Sequence, residues 1–155
     1  MFILAWKVNN FKITKPDKYE YEIEAELLYT FNRLGARFPA YTSIVAGGAN
    51  ACVLHYVENT AELKSGDLLL IDAGCELHGY ASDITRTFPI NGKFSAAQKD
   101  VYQLVLNAQA AAIAQVKPGN LWNEPHQAAL QVLAQGFIDL GLCHGSLDAV
   151  LESED

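Results

Sequence analysis

The sequence predicts a mixed α+β fold. Three observations predict it: apolar residues at helical spacing before residue 35, short β-prone segments between residues 43 and 89, and helical spacing again after residue 95. This order of helix, strands and two helices differs from a regular βαβ alternation. With 155 residues, of which 50% are hydrophobic and 19% charged, the chain has the length of one domain and is too apolar for intrinsic disorder.

A helix is predicted to begin at Lys15-Pro16-Asp17, because proline and an acidic residue favour the first helical turn. It is predicted to end at Gly35. Its apolar stripe comprises Ile23, Leu27, Phe31 and Leu34. Its first half carries four acidic residues, which we interpret as a solvated set favoured by the helix dipole: Glu20, Glu22, Glu24 and Glu26.

The middle of the chain predicts strands. Residues 43–46 and 52–56 are β-prone segments on either side of a glycine-rich turn. Residues 68–74 form a nearly continuous apolar strand, of the type that is buried on both faces. After a turn near His78, a second strand is predicted over residues 80–88, where Pro89 stops it.

The last third predicts two helices. The first begins at a capping box, Ser95-x-x-Gln98, and ends before Pro118. Its apolar stripe comprises Val101, Leu104, Val105, Ala108 and Ala112. The second ends at Gly141, and Pro125 either kinks its first turn or moves its start later.

Charge and composition exclude several classes of function. Eleven Lys and Arg against 18 Asp and Glu give a net charge of −7, without the basic stripe of a nucleic-acid-binding protein. Residues 1–6 are apolar but too short for a membrane span, and no basic region of a signal peptide precedes them. The odd number of widely spaced cysteines, Cys52, Cys75 and Cys143, predicts buried thiols in a reducing compartment and hence a cytoplasmic protein.

Two aspartates, Asp72 and Asp83, are the candidate metal-binding residues. Asp72 ends the apolar strand, where burying an unpaired carboxylate would cost several kcal/mol. A turn centred between Leu77 and His78 would place Asp83 directly opposite, with Cβ atoms about 5 Å apart. A bound divalent cation would remove their repulsion, and hard oxygen ligands suit Mn, Mg or Ca. Two alternatives stay open: Asp72 caps a turn, or Arg86 neutralises one carboxylate.

These segments resemble a known family. Ile-Asp-Ala-Gly at residues 71–74, with Asp-Ile-Thr-Arg-Thr-Phe-Pro at residues 83–89, is similar to the metal-binding hairpin of Xaa-Pro aminopeptidases (aminopeptidase P). These are pita-bread metallopeptidases, as are prolidase and methionine aminopeptidase. The resemblance continues through residues 31–39, 41, 43–45, 54–56 and 91–95. It makes residues 15–155 a partial catalytic domain and leaves 1–14 as an N-terminal segment of unclear match.

The resemblance implies the N-terminal half of a pita-bread fold, with an antiparallel sheet flanked by helices. It implies removal of an N-terminal residue that precedes proline, from a peptide with proline at the second position. Asp72 and Asp83 would bind two divalent ions of the Mn²⁺ type, and His55 would contact substrate near the scissile bond. A hydroxide bridging the metals would attack the peptide carbonyl.

The family site also needs a histidine and two glutamates further along the chain. The later candidates lie outside the family motifs: Glu124, His126, His144, Glu152 and Glu154. His78 also matches no motif position. We therefore expect no complete catalytic set and an inactive chain unless another polypeptide or a homo-oligomer complements it. The alternatives are a non-enzymatic binding or scaffold module, which pairs through an open sheet edge, and part of a prolidase, which cleaves Xaa-Pro dipeptides.

Overall fold

The computed structural model describes residues 13–153, and the chain folds into two compact units that divide between Phe94 and Ser95. The described residues of the first unit include an α-helix, a 3-10 helix and six strands. In chain order these are α1 (Glu20–Arg33), β1 (Phe38–Pro39), β2 (Ile44–Gly47), the 3-10 helix (Gly48–Cys52), β3 (Leu68–Ala73), β4 (Cys75–Leu77), β5 (Tyr80–Ala81) and β6 (Ile84–Pro89). The predicted α+β class is confirmed.

Helix α1 begins at Glu20, later than the predicted start at residues 15–17. The residues before Glu20 form hydrogen bonds with another segment instead of a helical turn: the backbone N–H of Asp17 donates to the carbonyl oxygen of Leu63 at 3.0 Å. The N–H of Glu20 likewise donates to the carbonyl oxygen of Ala61 at 2.9 Å. The predicted end is confirmed, since Gly35 follows the helix with φ 98°, a conformation that favours glycine.

The central sheet has the antiparallel order β2-β3-β6. Helix α1 packs on one of its faces, where Ile23 and Leu27 join Leu69 and Ile71 in the main core. Burial therefore alternates along β3, with this face buried and the other half-buried among the described residues. The prediction that β3 is buried on both faces is thus wrong for the face that carries Asp72.

The predicted strand at residues 52–56 is also wrong. Residues 48–52 form the 3-10 helix, and residues 53–55 turn at the surface. The physical reason is long-range hydrogen bonding. The side chains of Asn50 and Tyr56 bind the buried carboxylate of Glu20, and a straight strand could not direct both to one point.

A two-residue turn, His78–Gly79, joins β4 to β5, and both residues have positive φ angles, 55° and 83°. This is the type I′ geometry, whose twist matches that of the flanking strands. The predicted strand at 80–88 divides into β5 and β6, with Ser82 and Asp83 between them. Strand β5 belongs to a small second sheet of order β1-β4-β5.

The described residues of the second unit form three helices, α2 (Ala96–Ala114), α3 (Glu124–Asp139) and α4 (Leu147–Glu152). The two predicted helices are confirmed, whereas the short α4 was not predicted. Pro125 lies in the first turn of α3, where its missing N–H costs no intrahelical bond. No helix in the described part of the chain is long and apolar enough to span a bilayer.

The three cysteines are free thiols. Cys75 is buried, as predicted. The prediction of burial is wrong for Cys52, which is exposed at the end of the 3-10 helix, and for the half-buried Cys143.

The capping box at the start of α2 gives a testable stability prediction. Ser95 Oγ accepts from the N–H of Gln98 at 3.3 Å, and Gln98 Oε1 accepts from the N–H of Ser95 at 2.9 Å. We expect Ser95→Ala to lower the free energy of unfolding by about 1 kcal/mol, because the backbone N–H of Gln98 loses its side-chain acceptor. Urea titration measures it, and Ser95→Thr, which keeps the hydroxyl, is the control. Equal effects of the two substitutions would contradict the prediction.

Candidate metal centre

Asp72 lies near the end of β3, and Asp83 immediately precedes β6. Asp72 pairs with Thr85 across the ladder, so the prediction that Asp83 stands directly opposite is wrong. The turn is centred between His78 and Gly79, one residue later than predicted, and this displaces every cross-strand partner by two residues. A displacement of two preserves the face of the sheet, so Asp83 becomes a diagonal neighbour of Asp72.

The hydroxyl of Tyr41 joins the two carboxylates. Tyr41 Oη lies 2.6 Å from Asp72 Oδ1 and 2.9 Å from Asp83 Oδ1. A phenol has a single proton, so it donates to one carboxylate at a time while both acceptors stay in place. Burial raises the pKa of Tyr41 well above its usual value, and the hydrogen bonds to Asp72 and Asp83 raise it further. The hydroxyl therefore keeps its proton between the two acids.

Neither carboxylate forms an ion pair among residues 13–153. Arg86 pairs with Ile71 in the ladder, which places it on the opposite face from Asp72, and its Nη1 donates to the carbonyl oxygen of Thr85 at 2.6 Å. The alternative in which Arg86 neutralises a carboxylate is therefore wrong. Asp72 accepts from a side-chain hydroxyl rather than from a turn N–H, which also disfavours the turn-cap alternative.

Two carboxylates that converge without a cation repel each other, and a divalent ion would relieve the repulsion. Carboxylate oxygens are the ligands that hard cations such as Mn²⁺ and Mg²⁺ prefer, so this donor set fits such an ion. Within the described residues, no group of three or more His, Cys, Asp or Glu side chains comes together as a metal ligand set. In the part of the chain that the structure describes, Asp72 and Asp83 are therefore the candidate ligands.

Gly74 lets the two aspartates approach. It lies between β3 and β4, and a Cβ atom on it would overlap the backbone carbonyl oxygen of Ser82. The two segments are tied there, because the N–H of Ser82 donates to the carbonyl oxygen of Cys75 at 3.0 Å and the N–H of Cys75 donates to Ser82 Oγ at 3.1 Å. The spacing of Asp72 and Asp83 depends on this close backbone contact.

His55 is exposed and lies in the turn after the 3-10 helix, with φ 56°. No hydrogen bond among the described residues joins it to Asp72 or Asp83, so the structure brings together the two predicted metal ligands but not the predicted substrate contact. The remaining histidines, His78, His126 and His144, are exposed, which agrees with surface roles.

Sequence reasoning missed two residues. Glu20 is fully buried, so its interpretation as a solvated residue is wrong. A signal was present, because Glu20 occupies the same helical stripe as Ile23, Leu27 and Phe31, where a polar residue is unusual. Tyr41 is the second missed residue. It lies within the family resemblance, but no local sequence pattern connects it with Asp72 or Asp83.

Known proteins resemble this chain closely. Residues 6–148 match the sequence model described as metallopeptidase family M24. The chain is 53% identical over 141 residues to the Xaa-Pro aminopeptidase of Haemophilus influenzae, covering 91% of this chain and 33% of that protein. It is 44% identical over 137 residues to the Xaa-Pro aminopeptidase of Escherichia coli, covering 88% and 31%.

Solved structures agree. The aminopeptidase PepP of Pseudomonas aeruginosa superposes with a TM-score of 0.92 at 52% identity, covering 94% of this chain and 33% of that one. The zinc-substituted aminopeptidase P of E. coli in complex with product gives a TM-score of 0.93 at 41% identity, covering 97% and 34%. The chain thus spans about a third of the length of these relatives. The expected fold class, the N-terminal half of a pita-bread fold with antiparallel strands and helices, is confirmed.

Proposed function

Because the chain belongs to metallopeptidase family M24, we propose that it supplies part of a metal-dependent aminopeptidase that removes an N-terminal residue preceding proline. The names of the relatives support the choice of an Xaa-Pro bond. Proline also makes such a bond distinctive, because its nitrogen carries no hydrogen and its φ angle is fixed. The substrate we propose is therefore a peptide with proline at its second position.

One observation carries the proposal: Asp72 and Asp83 converge on the Tyr41 hydroxyl, and neither forms an ion pair within the described residues. Asp72 and Asp83 would hold the metal, which we propose to be a pair of Mn²⁺ ions. When bound, such ions activate water for attack on a peptide carbonyl and stabilise the negative charge that develops there.

The residues of this chain have distinct roles in that scheme. Tyr41 donates its hydrogen bond to one carboxylate oxygen and so orients both acids, while their other lone pairs stay free for a cation. The raised pKa of Tyr41 keeps this donor protonated. His55 is exposed, so its imidazole is accessible to a peptide, and we propose that it contacts substrate near the scissile bond.

We also propose that this polypeptide alone is inactive, since the described residues offer two metal ligands and cations in proteins take more. The remaining ligands would come from residues other than these, such as those of a complementing chain or a homo-oligomer. The free cysteines support a reducing, cytoplasmic location.

The test is Mn²⁺ binding to the purified chain, measured by isothermal titration calorimetry. We expect weak binding, and we expect Asp72→Asn or Asp83→Asn to reduce the affinity by about tenfold or more, because each removes one negative ligand. Asp100→Asn, which neutralises an exposed acid on α2, is the matched control and should leave the affinity unchanged. Equal affinities for all variants would overturn the metal assignment.

Two further measurements complete the test. Hydrolysis of an Xaa-Pro peptide by the purified chain alone would contradict the proposed inactivity. Sedimentation during the Mn²⁺ titration follows assembly: pairing that depends on metal supports a split site, whereas pairing that is independent of metal supports a scaffold.

A further inference from the structure

The fully buried carboxylate of Glu20 collects four hydrogen bonds from one stretch of chain. Its Oε1 accepts from the N–H of Gly47 at 2.8 Å and from Asn50 Nδ2 at 3.0 Å. Its Oε2 accepts from Tyr56 Oη at 2.8 Å and from the N–H of Ala61 at 2.9 Å. Two of these donors are the backbone N–H groups of Gly47 and Ala61, which flank residues 48–60. The other two are the side chains of Asn50 and Tyr56, which lie within that segment. We call this segment the His55 loop.

Further hydrogen bonds stabilise the His55 loop. Asn50 Nδ2 also donates to Tyr56 Oη at 3.1 Å, so the two side chains that bind Glu20 are linked to each other. Burial and the hydrogen bond to Glu20 raise the pKa of Tyr56, which keeps its hydroxyl a donor. Near the end of the loop, the buried amide of Asn59 accepts from the N–H of Val45 and donates to the carbonyl oxygen of Ser43, both at 2.9 Å.

His55 lies directly beside the anchored Tyr56. Its φ of 56° is in the left-handed region, which is disfavoured for a non-glycine residue and persists only where the surroundings fix it. On one side, Leu54 is 86% exposed and supplies little packing, whereas on the other Tyr56 is 8% exposed. The position of His55 therefore depends mainly on the bond between Tyr56 and Glu20.

We infer that Glu20 is a positioning residue, which acts through Tyr56 and Asn50 to hold the His55 imidazole where a peptide can meet it. The functional part of this inference rests on the proposed role of His55 in substrate binding. The structural part does not, because the contacts of Glu20 involve no metal and no peptide.

The chemistry requires a carboxylate at this position. Each oxygen of Glu20 accepts from two donors, one of which is a backbone N–H. Glutamine has one carbonyl oxygen, so in either orientation its NH₂ group would face the N–H of Gly47 or of Ala61. Tyr56→Phe is a smaller change, because it removes only the hydroxyl group and keeps the aromatic ring.

The experiment uses the metal-free 155-residue chain and two variants, Glu20→Gln and Tyr56→Phe. The first measurement is the ¹H–¹³C NMR signal of the His55 imidazole, assigned from its loss in His55→Gln. The second is amide hydrogen exchange across the first unit. Glu24→Gln, which removes a half-buried acid from the same helix, is the control.

We expect both variants to shift and broaden the His55 signal and to raise exchange at Gly47 and Ala61 by about tenfold or more beyond any rise at the β3 amides. An unchanged His55 signal in both variants would overturn the inference. So would a uniform rise in exchange that includes Leu69 and Ile71, because that would show general destabilisation. If Glu20→Gln does not fold, Tyr56→Phe decides the outcome. Loss of Mn²⁺ binding in Asp72→Asn tests the proposed function instead, so the two can fail separately.

Discussion

Replacing Gly74 with alanine is expected to abolish Mn²⁺ binding and to lower the free energy of unfolding by about 3 kcal/mol. The added methyl group would overlap the carbonyl oxygen of Ser82 and lie 3.1 Å from Cε1 of Tyr41. The overlapped atom belongs to the backbone, so no side-chain rotation relieves it. The segments must separate, which breaks the hydrogen bond between Ser82 and Cys75 and moves Asp83 away from Asp72.

The matched control is Gly79→Ala in the hairpin turn. Gly79 has φ 83° but open space around it, so alanine there meets backbone strain without a collision. We expect this control to cost about 1 kcal/mol and to keep Mn²⁺ binding. Urea titration and calorimetry measure both quantities. Wild-type Mn²⁺ affinity in Gly74→Ala would show that the spacing of the aspartates does not depend on this contact.

Replacing Glu20 with alanine is expected to lower the free energy of unfolding by about 3–5 kcal/mol. The substitution leaves two backbone N–H groups and two side-chain donors without their shared acceptor, in a site where Glu20 is fully buried. Donors that lose their partner inside a protein keep the full cost of desolvation, which is larger than the net gain of a satisfied bond.

Thermal and urea unfolding followed by circular dichroism measure this loss. Glu24→Ala removes the same charge from a half-buried position of α1 and should change the free energy of unfolding by about 0.5 kcal/mol or less. If Glu20→Ala were no more destabilising than Glu24→Ala, water would be replacing the carboxylate and the stabilising role would be wrong.

Much of the fold could be predicted because its signals are local. The apolar period of α1 and the capping box of α2 depend on residues within a few positions of each other. The proximity of Asp72 and Asp83 could be predicted for a different reason, which tolerates a small error in the position of the turn. An error of one residue in the turn centre displaced the partner of Asp72 from Asp83 to Thr85, but a shift of two keeps Asp83 on the same face.

The parts that could not be predicted depend on distant contacts. Tyr41 bonds to residues 31 and 42 positions away, and Glu20 bonds to groups 27 to 41 positions away. A window of neighbouring residues contains no information on such pairs. Segment 52–56 shows the result: its local composition favours a strand, but the bonds of Asn50 and Tyr56 to Glu20 impose a turn.

The amide of Asn59 also bears on self-association. Among the strands that the structure describes, β2 lies at an edge of its sheet, and edge strands can pair with other chains. Here the side-chain amide of Asn59 takes the place of a peptide group from a further strand. It accepts from the N–H of Val45 and donates to the carbonyl oxygen of Ser43. A second chain could extend the sheet at this point only by displacing a buried amide, so we expect Asn59 to oppose strand pairing along this edge of β2.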